Sequence, residues 1–459
     1  MVKLKKTSSF VCQECGYDTA SWLGKCPECG LWNSFKEIKV VNETSSGIGN
    51  WASSDDIKPQ KLQDIAYSEK SRIQSGYLEM DTVLGGGIVR GSVILLAGDP
   101  GVGKSTLLLQ LCLQLANQGK TILYISGEES VEQIKLRAER IQEKETKGKT
   151  ETKVSVSKSG ENLYLVALSN PDSAVVRIEE LKPDLVIVDS IQTMQSGNVA
   201  GLSGSVGQVR YAALHYVRVA KSLNIPIILV GHVTKEGTVA GPMVLSHMVD
   251  TVLFLEGEKF AKTRILRSFK NRFGPVDEVG IFQMEETGMR EITDTEHMFL
   301  TKSTVQTPGS VLVATLEGTR AFLVELQALV VYSKLAMPRR VVSGLDQRRV
   351  ELLLAVLQKH CRLPVETMDV FVNVAGGLKL SDPGIDLGIC IAIVSSLKNI
   401  PTSQTVGIGE IGLLGELRSV SGIEKRVKEA QKLGFSTIIT PQTHKSLVAV
   451  LETLGNEKK

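Results

Sequence analysis

The segment that most constrains this chain is Gly98-Asp99-Pro100-Gly101-Val102-Gly103-Lys104-Ser105-Thr106, which follows the apolar run VILLA and opens directly into STLLLQLCLQLANQG. It fits the pattern G-x-x-x-x-G-K-[ST]. In such a loop the glycines let successive backbone N–H groups curl around a β-phosphate, and the helix beginning near the lysine turns its positive dipole end to the same place. Lys104 is expected on the β- and γ-phosphate oxygens and Ser105 on Mg2+. A strand before the loop and a helix after it are the context the motif needs, so the chain must supply α/β structure here. Leu107, Leu108, Leu111, Cys112 and Leu115 recur at helical spacing and are expected in the core.

From Val93 onward, short apolar runs alternate with helical stretches: VILLAG, TILYIS, LVIVDS and PIILVGHV are the runs. That alternation predicts a parallel sheet covered by helices. The run Leu185-Val186-Ile187-Val188 ends in Asp189, where a carboxylate orients Mg2+ and its waters. Hydrolysis also needs a group that positions the attacking water. Glu128 and Glu129 end TILYISG, the strand after the P-loop helix, and Glu128 is the one assigned that role, with a solvated turn as the alternative for either. A guanine signature of the form Asn/Thr-Lys-x-Asp is absent, since Thr234-Lys235-Glu236 runs into Gly237, so ATP is the expected nucleotide.

At 459 residues the chain exceeds the size at which one core stops growing, so two or three domains are expected. Residues 41–60 are rich in Ser, Gly, Asn and Asp and read as a linker, the polar insert 144–153 as a solvated loop, and TPGS at 307–310 as a junction. The boundaries that follow are 1–40, 41–60, 61–305 and 306–459. A net charge of +3 is too mild to argue for nucleic acid by itself. The N-terminal MVKLKKTSSF has no apolar run behind its lysines, and no stretch reaches the roughly 18 apolar residues that span a bilayer. No membrane partner and a cytoplasmic location are therefore expected. The apolar segment 387–397 reads as a buried helix.

Cysteine usage is lopsided. Cys112, Cys361 and Cys390 sit singly in apolar patterns and read as core thiols, whereas Cys12, Cys15, Cys26 and Cys29 form C-x2-C, a ten-residue spacer and C-x2-C. Four thiolates at this spacing suit tetrahedral Zn2+ with no open position, which makes the site structural. The module has three possible uses: binding nucleic acid, binding protein, or holding a small fold together. Trp22 and Trp32 are expected to cover its small core, with stacking on bases as the alternative.

The order of these features, together with Lys270-Asn271-Arg272-Phe273-Gly274, closely resembles the bacterial RadA (Sms) DNA-repair family over essentially the whole chain. The resemblance implies a RecA-like P-loop ATPase core between an N-terminal four-cysteine zinc ribbon and a C-terminal α/β Lon-protease-like domain. Catalytic roles carry over to Lys104, Glu128 and Asp189. Lys270 and Arg272 match a cationic motif that implies contact with nucleotide across a subunit boundary, as an arginine finger makes, and a possible contact with DNA. The resemblance also implies a homo-hexameric ring, binding to single-stranded and branched DNA, a recombinase or replication partner, and ATP-driven movement. In such a ring, loops 195–210 and 233–243 would line the channel, with Arg210 and Lys235 as charges for a phosphate backbone. Ordinary flexible loops are the alternative. An ATP-gated scaffold that loads partners on single strands is the rival to a motor.

The C-terminal frame, from Gly376 through Asp382-Pro383-Gly384-Ile385-Asp386 to Gly412-Leu413-Leu414-Gly415, carries the Lon-like resemblance. Active members place a serine after the proline and a lysine on a later helix. Gly384 holds the serine position here, Glu424 matches the lysine with Lys425 one residue off, and Ser381 lies three residues upstream, so peptide cleavage is not expected. Arg339, Arg340, Arg348 and Arg349 are candidates for a DNA-facing surface, with a solvated face as the equal alternative.

Overall fold

A computed structural model of the chain describes residues 7–12, 17–19, 21–40, 61, 72–147, 161–232, 242–257, 262–292, 307–375, 378–402, 405–435 and 437–456. Two compact units emerge: Met1–Glu256 with Arg264–Val276 and Phe282–Glu291, and Gly257–Thr263 with Asp277–Ile281 and Ile292–Lys459. Among the described residues no helix is long and apolar enough to cross a membrane.

The first unit begins with a three-stranded antiparallel ribbon, β1 (Thr7–Cys12), β2 (Asp18–Thr19) and β3 (Phe35–Val40), in the order β2-β1-β3. Its core consists of Cys12, Cys26 and Phe35, with Phe10 and Leu23 packed against them. Trp22 and Trp32 do not cover that core, contrary to expectation: they are 53% and 70% exposed. The two cysteines themselves supply much of that core.

After α1 (Leu78–Val83) come β4 (Val93–Gly98), α2 (Lys104–Asn117), β5 (Ile122–Ser126), α3 (Val131–Lys147), β6 (Leu163–Ala167), α4 (Pro171–Leu181), β7 (Leu185–Asp189), α5 (Val206–Leu223), β8 (Ile227–His232) and α6 (Pro242–Ser246). The strands β9 (Thr251–Glu256), β10 (Thr263–Asn271), β11 (Val279–Glu285) and β12 (Gly288–Glu291) follow. The nine strands lie in the order β12-β11-β10-β9-β4-β8-β7-β5-β6, parallel from β9 to β6. Every residue of β4, β5 and β7 is buried because helices cover both faces. Along β4, Ile94 and Leu96 join Leu107, Leu111 and Ile187 on one face, while Val93 and Leu95 join Val186, Val209 and Tyr216 on the other. Helix α3 continues through Lys147, so the first four residues of the polar insert 144–153 are helical rather than the solvated loop expected.

The second unit holds a six-stranded mixed sheet in the order β15-β16-β14-β13-β17-β20. Its elements are β13 (Ser310–Glu317), β14 (Arg320–Tyr332), β15 (Arg340–Ser343), α7 (Gln347–Cys361), β16 (Met368–Val374), α8 (Asp386–Lys398), β17 (Thr405–Gly407), the small β18 (Glu410–Ile411) and β19 (Leu417–Arg418) ribbon, α9 (Ile423–Lys432), β20 (Thr437–Ile439) and α10 (Leu447–Asn456). Helix α8, buried from Asp386 to Ser395, packs on β13 and β14, as expected of the apolar segment 387–397 despite its interruption by Gly and Ser. The fold class read from the sequence is the one observed.

Candidate functional site

Strand register gathers the polar ends of the apolar runs. Gly98 of β4 pairs with His232 of β8, and Ser126 of β5 with Asp189 of β7, so all four stand at the carboxyl ends of parallel strands, where open α/β sheets bind ligands. Gly101 and Gly103 have φ of +79° and +110°, conformations that a side chain would strain, and a Cβ on Gly101 would meet nothing within 4 Å. The 14-residue α2 starts at Lys104, directly behind this open loop.

Lys104 is buried, and its Nζ donates to the carbonyls of Gly98 at 2.8 Å and Asp99 at 3.0 Å. Burial pushes its pKa down, against the pull of Asp189, Asp99 and Glu128. An ammonium held this way can exchange carbonyl oxygens for phosphate oxygens, and the loop's donors and free volume fit a nucleotide triphosphate. Behind it, Asp189 Oδ2 accepts from the Tyr124 hydroxyl at 2.5 Å, and the buried Arg264 donates its Nε to the Val102 carbonyl at 3.0 Å, bracing the loop from β10.

Glu128 Oε1 accepts from Ser190 Oγ at 2.5 Å and lies 3.4 Å from His232 Nε2. The hydrogen bond from His232 is the largest influence on Glu128 and, with Ser190 and the charge of Lys104, holds its carboxyl down at about 2 despite burial. Glu129 turns elsewhere: Oε1 accepts from Arg137 at 2.9 Å. The two neighbours thus have different partners, Glu128 at the carboxyl ends of the strands and Glu129 on α3. Ser190, His232, Tyr124 and Arg264 are additions that sequence reading missed. The signal for His232 was present, since it ends the apolar run PIILVG as Asp189 ends LVIV.

Lys270 and Arg272 are not brought to this site. Lys270 Nζ donates to the carbonyls of Ser246 at 2.7 Å and Val249 at 2.8 Å, and Arg272 Nη1 lies 3.4 Å from Asp250 Oδ1. Asn271 pairs with Thr251 and Thr251 with Ile94, so this turn stands at the amino ends of β9 and β4. The P-loop leaves the other end of β4, roughly 17–20 Å away for a strand of this length.

The loop after β7 is tied down. Gln208 Nε2 donates to the carbonyls of Ser196 at 3.0 Å and Val199 at 2.6 Å, and Ser196 Oγ donates to Asp172 at 2.5 Å. Arg210 is corrected from loop to helix, because α5 already starts at Val206. Lys235 and most of the second loop lie outside the described residues.

In the ribbon, the sulfurs of Cys12, Cys26 and Cys29 all lie within 4.8 Å of one another, and those of Cys12 and Cys29 are 3.7 Å apart. Tetrahedral Zn2+ with bonds of about 2.3 Å sets its sulfurs about 3.8 Å apart, so the three thiols fit that ion. Cys15 lies outside the described residues. Cys112 and Cys390 are buried, their thiols pushed up by desolvation and thus inert, while Cys361 is half-buried.

The Lon-like frame contains no nucleophile at its serine position. A Cβ on Gly384 would sit 2.6 Å from Nη1 of Arg426, a fully buried guanidinium that pairs with Asp382 and donates to the Ala314 carbonyl at 2.6 Å. Arg426, rather than Glu424 or Lys425, fills the space beside Gly384; Lys425 donates to the Thr319 carbonyl at 3.2 Å. Two of the proposed DNA-facing arginines are also internally committed. Arg349 pairs with the buried Asp386 and with Glu410, and Arg340 donates to the carbonyls of Val365 and Met368.

Fold and site together define a P-loop ATPase with a RecA-like core, a zinc ribbon before it and a Lon-like unit after it. Family models described as AAA domain, Rubredoxin metal binding domain, and Subunit ChlI of Mg-chelatase match residues 59–238, 10–37 and 332–444. The chain is 43% identical to the DNA repair protein RadA of Listeria monocytogenes, with 100% of this chain and 99% of the relative covered. It is 46% identical to that of Streptococcus pyogenes serotype M6, with 95% and 93% covered, and 44% identical to that of Bacillus subtilis, with 95% and 93% covered. The chain belongs to the RadA family of DNA repair proteins. The crystal structure of the RadB recombinase aligns with 48% of the chain at 23% identity and a TM-score of 0.37, too slight a likeness to argue from.

Proposed function

We propose that the chain is a DNA-dependent ATPase motor of homologous recombination and repair, working in the cytoplasm as a homo-hexameric ring that moves on single-stranded DNA and processes branched intermediates. The observation that carries this reading is the separation of Lys270 and Arg272 from the P-loop of their own chain. Cations at the opposite end of the sheet complete a nucleotide site only when a neighbouring copy presents them, and that arrangement links hydrolysis in one subunit to the position of the next.

In the proposed reaction, ATP lies along the loop from Gly98 to Thr106, and Lys104 moves from the Gly98 and Asp99 carbonyls to the β- and γ-oxygens. Mg2+, when held by Ser105 and Asp189, neutralises charge on the transferring phosphoryl group. Glu128 fixes the attacking water through its carboxylate. A group held at about 2 is a poor proton acceptor at neutral pH, so its contribution is orientation more than abstraction. The water oxygen bonds to the γ-phosphorus as the bond to the β-γ bridging oxygen breaks, and the proton leaves with phosphate. Zn2+ on Cys12, Cys15, Cys26 and Cys29 is structural, and the Lon-like unit serves assembly rather than peptide cleavage.

The test is ATPase rate with and without single-stranded DNA, paired with displacement of a strand from a forked substrate. DNA-stimulated turnover and displacement that stops with a non-hydrolysable analogue are expected. Displacement or partner loading that proceeds equally with the analogue identifies a scaffold instead.

A further inference from the structure

We propose that Trp22 and Trp32 form a stacking platform for single-stranded nucleic acid on the face of the zinc ribbon. This deepens the reading of the chain as a single-strand-binding ATPase and rests on it.

Three observations converge. First, the indoles are not among the ribbon's core residues and are 53% and 70% exposed, more than core packing calls for. Second, they stand together: Trp22 Cη2 and Cζ3 lie 3.7 Å, and Trp32 Cζ3 lies 3.8 Å, from the point a Cβ on Gly24 would occupy. Both six-membered rings therefore border the same position, Gly24. Third, a cation accompanies them, with Lys25 Nζ 5.7 Å from the Trp32 ring centroid.

The platform is built on a braced turn. Cys26 N donates to the Leu31 carbonyl at 2.9 Å, Gly30 N to Cys26 at 2.9 Å and Asn33 N to Gly24 at 2.8 Å, while Lys25 and Trp32 form a bridge. The backbone that carries the rings is thus braced before a ligand arrives, which lowers the ordering cost of binding. Indole faces stack on any base, and the Lys25 ammonium, which lies over the Trp32 ring, offers a charge to an adjoining phosphate, so the chemistry suits single strands without sequence preference. It also supplies the aromatic surfaces missing from the glycine-rich loops of the ATPase core.

The full chain has three tryptophans, Trp22, Trp32 and Trp51. Titration with oligothymidylate should quench much of the tryptophan emission, and Trp32→Ala should weaken binding about tenfold, the loss of one stacked base. Trp32→Phe should keep most of the affinity. Zinc content, measured on each variant, should equal that of the parent. For a readout needing no variant, an oligonucleotide carrying 5-iododeoxyuridine should photo-crosslink the unmodified protein at Trp22 or Trp32. Crosslinks found only elsewhere, or a zinc-replete Trp22→Ala/Trp32→Ala protein that binds like the parent, overturn the platform while leaving DNA binding intact. A parent protein that fails to bind the oligonucleotide refutes the underlying reading instead. Loss of a protein partner by the double variant, with DNA affinity unchanged, also counts against the proposal.

Discussion

Ser190 Oγ and Glu128 Oε1 are 2.5 Å apart although 62 residues separate them in sequence, and the same oxygen faces His232 Nε2 at 3.4 Å. Residues from the ends of β7 and β8 thereby hold a carboxylate that follows β5. Catalysis should depend on this clamp as well as on the carboxylate.

Glu128→Gln should keep ATP binding and lose two to four orders of magnitude in turnover, about the range for removing a group that assists proton movement or water placement. Glu129→Gln should change turnover little, because its partner is Arg137. Steady-state ATPase assays of both variants decide between the neighbours, and a larger loss at Glu129 would reverse the assignment.

The clamp has a signature in pH. Glu128 sits at about 2 in the fold against an ordinary 4.5, so it stays charged as pH falls through the usual carboxylate range. Its depressed value contributes stability that is present above about 4.5 and lost as pH falls through about 2. In His232→Ala, where the strongest support is gone, protonation moves back toward 4.5. ATPase rates across the acid range should therefore fall off at higher pH in that variant than in the parent; coincident acid limbs would argue that His232 does not hold Glu128.

Arg272→Ala and Lys104→Ala should each be inactive in DNA-stimulated hydrolysis, Lys104 because nothing else in the loop replaces its charge. Mixed together, the two should recover part of the activity, since one ring can then set an intact P-loop beside an intact arginine. Absence of recovery at every mixing ratio is the result incompatible with action between subunits.

Arg426→Ala leaves Asp382 in place without its guanidinium. Breaking a buried pair costs about 3–5 kcal/mol, so the C-terminal unit should unfold at markedly lower denaturant while nucleotide binding persists. Gly384→Ser, which restores the missing hydroxyl, should likewise destabilise and should not cleave unfolded casein, because its Cβ meets Arg426 at 2.6 Å. Sustained cleavage by Gly384→Ser would show that Arg426 does not block a nucleophile at this position, and cleavage by the parent protein would falsify the reading of this unit as proteolytically inert.

Local motifs were the most legible part of the chain. The P-loop, Asp189 and the cysteine spacing are written in contiguous residues, and the buried runs announce the parallel strands by their continuity. What the sequence concealed depends on register. Ser190 and His232 reach Glu128 only because β5, β7 and β8 align their carboxyl ends, and Arg426 reaches Gly384 only because α9 returns over β13. Trp22 and Trp32 differ from expectation because residue type alone predicts burial, whereas Cys12, Cys26 and Phe35 form the ribbon core. Arg349 is comparable: a charge in a helix reads as solvated until its buried carboxylate partner, 37 residues away, is known.

The contact between Gly384 and Arg426 also sets the direction in which this unit can change over generations. Placing a hydroxyl at 384 requires that the arginine first withdraw, and withdrawing the arginine strands Asp382. Either substitution made alone is expected to cost stability, so the two positions can change readily only as a pair.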